Sequence, residues 1–476
     1  MTIYAKPHSK NMLYRWLVFS LVLTVLHTSY NSHDSGATST PKASSSNVLV
    51  LKEPKINDPG LRTQVVYSGL KFPTGMAFLE HNDILVIEKN EGKVWRIIDG
   101  TMQSHPLLSV NVSNQAERGM LGIAVAKNIT TNATYVFLYY TESQSKDGQD
   151  VSEGKKPLGN RLYRYELVGD KLINPKLLLD LPATPGPTHN GGKIAIGPDN
   201  NVYLVIGIVG RTGDAKTLTQ NVKGGPEPDG RGGILRISQD GSVVNAKAVL
   251  GDTAPLNTYY AYGIRNGFGL AFDPITDNLW DTENGPADGD EINLVKPGFN
   301  SGWGKVQGMW ERKIDSGSDS PGSFVTAPSN LVDFDGRGKY QSPKFVWNHT
   351  VGPTGIEFLN NDKLGKKFQN DLFVGDFHNG YLYDFDLDSK RQGLALSGPL
   401  HDKIANSASE LQGIIFGFGF GGITDLAVGP DGYLYVLSLY QYDGGTNCDP
   451  VWGDPSLPCI QYSSPEEGSI FRIMPK

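Results

Sequence analysis

From Val65 onward one pattern returns six times: a short apolar strand, a turn built from Pro, Asp, Asn or Gly, an aromatic-rich strand, and a third strand of the Leu-Tyr-Arg-Tyr kind. Its units open at Gly75-Met76-Ala77-Phe78, Gly122-Ile123-Ala124-Val125, Lys193-Ile194-Ala195-Ile196, Gly269-Leu270-Ala271-Phe272, Gly355-Ile356-Glu357-Phe358 and Asp425-Leu426-Ala427-Val428. Two of the turns, Gly197-Pro198-Asp199-Asn200 and Gly429-Pro430-Asp431-Gly432, show their mechanism: proline presets φ, and the Asn or Gly that follows accepts a positive φ. The 57 Gly and 29 Pro that supply such turns would break long helices. The fold expected is therefore all-β: a six-bladed β-propeller over residues 61–476, of four-stranded antiparallel blades with long inter-blade insertions, with a sandwich or barrel as the alternative. The insertions fall at about 141–160, 211–232, 304–345 and 391–420. Loops of that length on a rigid scaffold build a binding face or cover one.

The N-terminus reads as an address. Lys6, Lys10 and Arg15 precede an apolar stretch at 16–26, and a Ser-rich linker without periodicity fills 31–60. Residues 1–30 thus have the layout of a secretory signal or short anchor. The apolar run is about half a comfortable membrane span, which favours cleavage while leaving a membrane tether open. The expected location is extracellular or at the cell surface. Cys448 and Cys459, the only cysteines, flank a Pro-rich loop, and a disulfide between them suits an oxidising compartment. Asn111, Asn128, Asn132 and Asn348 head glycosylation sequons. The net charge of −7 and the lack of a long basic run exclude nucleic acid as a natural partner.

Three polar segments lead into successive inner strands: Glu117-Arg118-Gly119-Met120 before the second unit, Thr188-His189-Asn190-Gly191-Gly192 before the third, and Arg265-Asn266 before the fourth. In a propeller such lead-ins converge on one axis. A histidine there is a ready general base near neutrality. The loop Asn284-Gly285-Pro286-Ala287-Asp288-Gly289-Asp290-Glu291 gathers oxygen-rich side chains around two glycines, the donors a hard cation such as calcium requires.

These motifs, above all 117–122, His189-Asn190-Gly191-Gly192, 262–273 and 283–303, resemble the soluble pyrroloquinoline-quinone-dependent glucose/sorbosone dehydrogenases, a family of six-bladed propellers. The resemblance runs from about Val65 to Met474. It implies an exported quinoprotein that oxidises an aldose or related sugar and passes the electrons to an acceptor the sequence does not identify. It makes His189 the catalytic base and Glu117 a contact on the cofactor or substrate side. Arg265 and Asn266 become the pair that hydrogen-bonds the quinone's carbonyl edge. The carbonyls of Gly285 and Pro286 would hold calcium, with Asp290 and Glu291 at acidic positions tied to further calcium sites. Three departures lie on the side that receives the cofactor's carboxylates: His378 stands where the family has lysine, and Gly422 and Thr424 stand where it has arginines. A fourth replaces an acid by Ile208. The alternatives are a non-catalytic extracellular calcium-binding propeller, acting as a binding or scaffold module that has lost those cationic contacts, and a calcium-dependent lactonase.

Overall fold

Each recurring apolar run becomes the first strand of a sheet. In the computed structural model of the chain these inner strands are Pro73–Glu80, Met120–Lys127, Ile194–Ile196, Gly267–Phe272, Pro353–Phe358 and Ile423–Val428. The structure describes residues 53–128, 130–144, 157–210, 220–222, 225, 227–244, 249–312, 321–326, 328–439 and 468–476, all within one compact unit. The N-terminal signal or anchor, most of the linker, and Cys448 and Cys459 lie outside the described residues.

Six principal sheets result, each with its first three strands in antiparallel order. Five of the six second strands, among them Asp83–Glu88, Val202–Ile206, Leu372–Asp376 and Leu434–Ser438, are buried at every position. Both faces of these strands are covered, which explains their unbroken apolar runs where a half-exposed strand would alternate. The inner strands neighbour one another in cyclic order, first with second through to sixth with first. Close approach needs small residues: a Cβ on Gly355 would lie 2.7 Å from the Leu426 nitrogen of the next sheet.

Segments near the two ends of the described chain share the sixth sheet. Leu61–Leu70 pairs with Gly468–Pro475 from Leu61 opposite Pro475 to Leu70 opposite Gly468, and Gly468–Pro475 in turn pairs with Leu434–Ser438. The last residues of the segment read as linker are also placed, with Lys55–Ile56 lying along Gly417 and Phe418 of the fifth sheet.

The expectation of four antiparallel strands per sheet needs correction. The third sheet gains Phe299–Asn300 and Lys339–Tyr340 in parallel, and the fourth gains Ile404–Ala405 in parallel. The insertions at 304–345 and 391–420 run back along sheet edges and satisfy exposed backbone groups there, where loops alone were expected. A separate small sheet, Val306–Gln307, Trp310–Arg312 and Pro321–Phe324, also belongs to the first of these insertions.

The register of the inner strands exposes one more feature. The opening position of the repeat is Gly in four units but Lys193 and Asp425 in the third and sixth. Two residues on, it is Ala in five units and Glu357 in the fifth. Lys193 forms an ion pair with Asp425, whose second oxygen accepts the Met76 amide at 3.0 Å, so one carboxylate joins the third, sixth and first sheets.

Candidate functional site

The His189 segment cannot be regular strand. His189, Gly191 and Gly192 have φ of 61°, 61° and 129°, and the turn is held from outside. Tyr139 Oη donates to the Asn190 carbonyl at 3.0 Å, Asn160 Nδ2 donates to Asn190 Oδ1 at 3.1 Å, and the Gly192 amide donates to Val205 at 2.9 Å. The segment that leaves Val202–Ile206 then ties two lead-ins together. The Ile208 amide donates to the Arg265 carbonyl at 3.0 Å, and the Val209 amide to the His189 carbonyl at 3.1 Å. Between them sits Gly207, where a Cβ would lie 2.5 Å from the Arg265 carbonyl oxygen and 2.7 Å from that of His189. The sequence reading noted only that Ile208 replaces an acid. The signal for Gly207 was a glycine breaking the apolar run Val205-Ile206-Gly207-Ile208-Val209 at a strand end.

Glu117 completes the junction. Its Oε2 accepts the His189 amide at 2.8 Å and Asn266 Nδ2 at 3.2 Å, so the three lead-ins singled out in the sequence meet at one carboxylate. Arg265 donates its amide to Glu283 Oε1 at 2.6 Å and its Nη1 to the Asn284 and Gly285 carbonyls at 2.8 and 3.0 Å. Its guanidinium lies 5.3 Å from the Trp303 ring centroid, which makes Trp303 a wall of the site. Trp280 and Trp347 instead belong to the core between the fourth and fifth sheets.

The electrostatics follow from burial. Desolvation lowers the His189 pKa well below 6.5, and the Arg265 charge lowers it further, so the imidazole is neutral at physiological pH. Desolvation raises Glu117, opposed by the hydrogen bonds from the His189 amide and Asn266. Lys89, which sequence reasoning missed, stands near Glu117. Its amine donates to Asn90 Oδ1 at 2.7 Å and to the Arg118 carbonyl at 3.0 Å, and burial pushes it down to about 8. Its signal was a basic residue at the exit of the first unit's second strand, the place Gly207 occupies in the third. His189 Nδ1, Asn266 Oδ1 and Asn284 Oδ1 are buried with no hydrogen-bond partner. A donor or acceptor left so costs about 1–3 kcal/mol, and a polar ligand would relieve it.

The acidic loop folds back on itself: a Cβ on Gly285 would strike the Asp288 carbonyl. Asp290 is fully buried and turned into the protein. Its Oδ1 accepts the Gly285 amide at 2.7 Å, and its Oδ2 accepts Thr350 Oγ1 and the Val351 and Gly352 amides at 2.7–2.8 Å. Glu291 Oε1 accepts the Gly308 amide at 2.5 Å and Gln307 Nε2 at 3.0 Å, while Oε2 accepts Asn293 Nδ2 at 2.9 Å. Both acids brace backbone. Among the described residues no group of three His, Cys, Asp or Glu is arranged to hold a metal ion. At this loop the Gly285 carbonyl already accepts Arg265 Nη1, which leaves its second lone pair, the Pro286 carbonyl and the unpartnered Asn284 amide oxygen as hard donors.

His378 is exposed at the turn after Leu372–Asp376, with its amide on the Val351 carbonyl at 3.0 Å. It lies beside the loop that caps Asp290 and lowers the Asp290 pKa electrostatically, against the stronger upward pull of burial. A Cβ on Gly422 would meet the Phe377 ring at 3.0 Å, and Thr424 Oγ1 makes a long bond of 3.4 Å to the Leu437 carbonyl.

The Glucose / Sorbosone dehydrogenase family matches residues 70–444. The aldose sugar dehydrogenase YliI of Escherichia coli (strain K12) is 26% identical over 381 residues, 79% of this chain and 90% of the relative. Quinoprotein glucose dehydrogenase B of Acinetobacter calcoaceticus is 30% identical over 289 residues, 58% of each chain. Among solved structures, a putative oxidoreductase (glucose dehydrogenase) from Thermus thermophilus superposes with a TM-score of 0.60 at 26% identity, covering 87% of this chain and 100% of that one.

Proposed function

Because the chain belongs to the glucose/sorbosone dehydrogenase family, we propose that it oxidises an aldose or related sugar with pyrroloquinoline quinone as its cofactor and calcium at the Gly285-Pro286 carbonyls. The observation that carries this reading is the single Glu117 carboxylate that gathers His189 and Asn266 from two other sheets. The orphaned Asn266 and Asn284 oxygens call for a hydroxyl or a hard cation and the Arg265 guanidinium for a carbonyl, so the set would fit a ligand that carries hydroxyls and carbonyls, with calcium beside it. The quinone, when bound, supplies the acceptor for the hydride that leaves C1 of the sugar.

His189 does the proton work. Neutral and desolvated, it takes the proton of the anomeric hydroxyl as the C1–O bond becomes a carbonyl. Arg265 and Asn266 would offer donors to the carbonyl edge of a bound ligand. Glu117 fixes the distance between base and donors. We further propose that the six sheets are the blades of a closed propeller and that residues 1–30 export the protein, cleaved or retained as a tether.

The test is titration of purified protein with the quinone, with and without calcium, followed by sugar-dependent reduction of an artificial acceptor. Stoichiometric uptake and turnover that His189→Ala abolishes are expected. No uptake at micromolar quinone would sink the proposal.

A further inference from the structure

The acidic loop contains one carboxylate that the site reading leaves unused. Asp288 lies between the Gly285-Pro286 pair and the two bracing acids, and in a calcium loop it would be the first side chain expected on the ion. It is instead buried against Arg312 of the small sheet. Arg312 Nη1 reaches Asp288 Oδ1 at 3.1 Å and Nη2 reaches Oδ2 at 2.5 Å, a bidentate pairing with the Asp288 carbonyl also within 3.5 Å of Nη2. Both residues are more than nine-tenths buried.

The rest of that hairpin grips the same loop. Gln307 Nε2 donates to the Gly289 carbonyl at 2.8 Å, and the Gly308 amide holds Glu291. From the other side the Gly289 amide donates to Trp347 at 3.0 Å. A run of glycines and carbonyls has little stiffness of its own. Carbonyl oxygens bind a cation well only when they are held convergent before it arrives.

We infer that Arg312 is a positioning residue: by clamping Asp288 away from the ion it fixes the loop whose Gly285 and Pro286 carbonyls receive calcium, and the strand Trp310–Arg312 carries that clamp. The inference rests on the calcium assignment above. It has a sign that a rival reading reverses. If Arg312 merely competed for a carboxylate ligand, removing it would free Asp288 and tighten calcium binding. If it is a clamp, removal loosens the loop and weakens binding, by about 10- to 100-fold on the scale of outer-shell metal partners.

The experiment measures calcium affinity of the full chain by calorimetry, and by the calcium-induced rise in melting temperature, without quinone or sugar. Arg312→Lys keeps the charge and loses the two-pronged geometry. The double variant Asp288→Asn with Arg312→Gln removes both charges, so no unpaired ion is buried and folding is protected. Weaker calcium binding in both, with melting temperatures in chelator near that of the parent, is the expected result. Unchanged or tighter binding in either overturns the clamp while leaving the calcium site intact. Failure of the parent protein to bind calcium overturns the site assignment and the clamp together.

Discussion

His189 is a base because of where its neighbours put it. Burial and Arg265 both act against the imidazolium, so the acid limb of kcat/KM should fall below pH 6.5, the ordinary value for the free side chain. A limb at or above that pH would show that another group takes the proton. The same desolvation predicts a stability effect: below pH 6.5 the unfolded chain binds a proton that the folded one refuses, so stability contributed by neutral His189 is lost as the pH falls. His378 supports a prediction of opposite kind. It lies exposed beside the loop bracing Asp290, where a longer, permanently charged amine could reach a bound carboxylate. His378→Lys should tighten quinone binding by about tenfold or more, since charge-assisted contacts contribute roughly 1.5–3 kcal/mol; equal affinities in a fluorescence titration would refute it. Residue types were legible in the sequence, and so were the three lead-ins that meet at Glu117. Direction was not: Asp290 and Glu291 look like ligands as letters, and only the fold shows their oxygens turned toward amides.

At the scale of elements, the site is made where the exit of one second strand embraces the lead-ins on either side. Gly207 is the narrowest point, pressed by carbonyls from both the His189 and the Arg265 segments. Gly207→Ala should therefore destabilise the protein by about 1–3 kcal/mol, as overpacking does, and lower kcat by moving base and guanidinium apart. Thermal melts and turnover numbers read the two effects separately. Loss of stability with full turnover would mean that the two lead-ins are positioned independently. The strands themselves were readable because apolar run and turn chemistry repeat. The added parallel strands at 299–300, 339–340 and 404–405 were not, since two-residue edges carry no period and owe their conformation to the sheet they join.

For the molecule as a whole, charge at the repeat's variant positions matters most. Glu357 stands where five other units have Ala, and burial raises its pKa to about 7 despite the attraction of Lys193, with Asp425 adding to the rise. A carboxyl raised in the folded state binds its proton more tightly there than in the unfolded chain. Stability is therefore lost as the pH rises from about 4.5 toward 7. Glu357→Gln should abolish that loss, giving a protein more stable than the parent above pH 7 by on the order of 1–3 kcal/mol and no more stable near pH 4.5. Denaturant midpoints at the two pH values decide it.

The shared sixth sheet bears on how such a chain folds. Gly468–Pro475 lies between Leu434–Ser438 and Leu61–Leu70, so that Ser68 and Ser469, 401 residues apart in sequence, face each other. Without 468–476, Leu61–Leu70 would lose the strand it pairs with and leave a sheet edge open. Closing that sheet brings together distant stretches of chain, so an open edge, a template for mispairing, persists until the two meet.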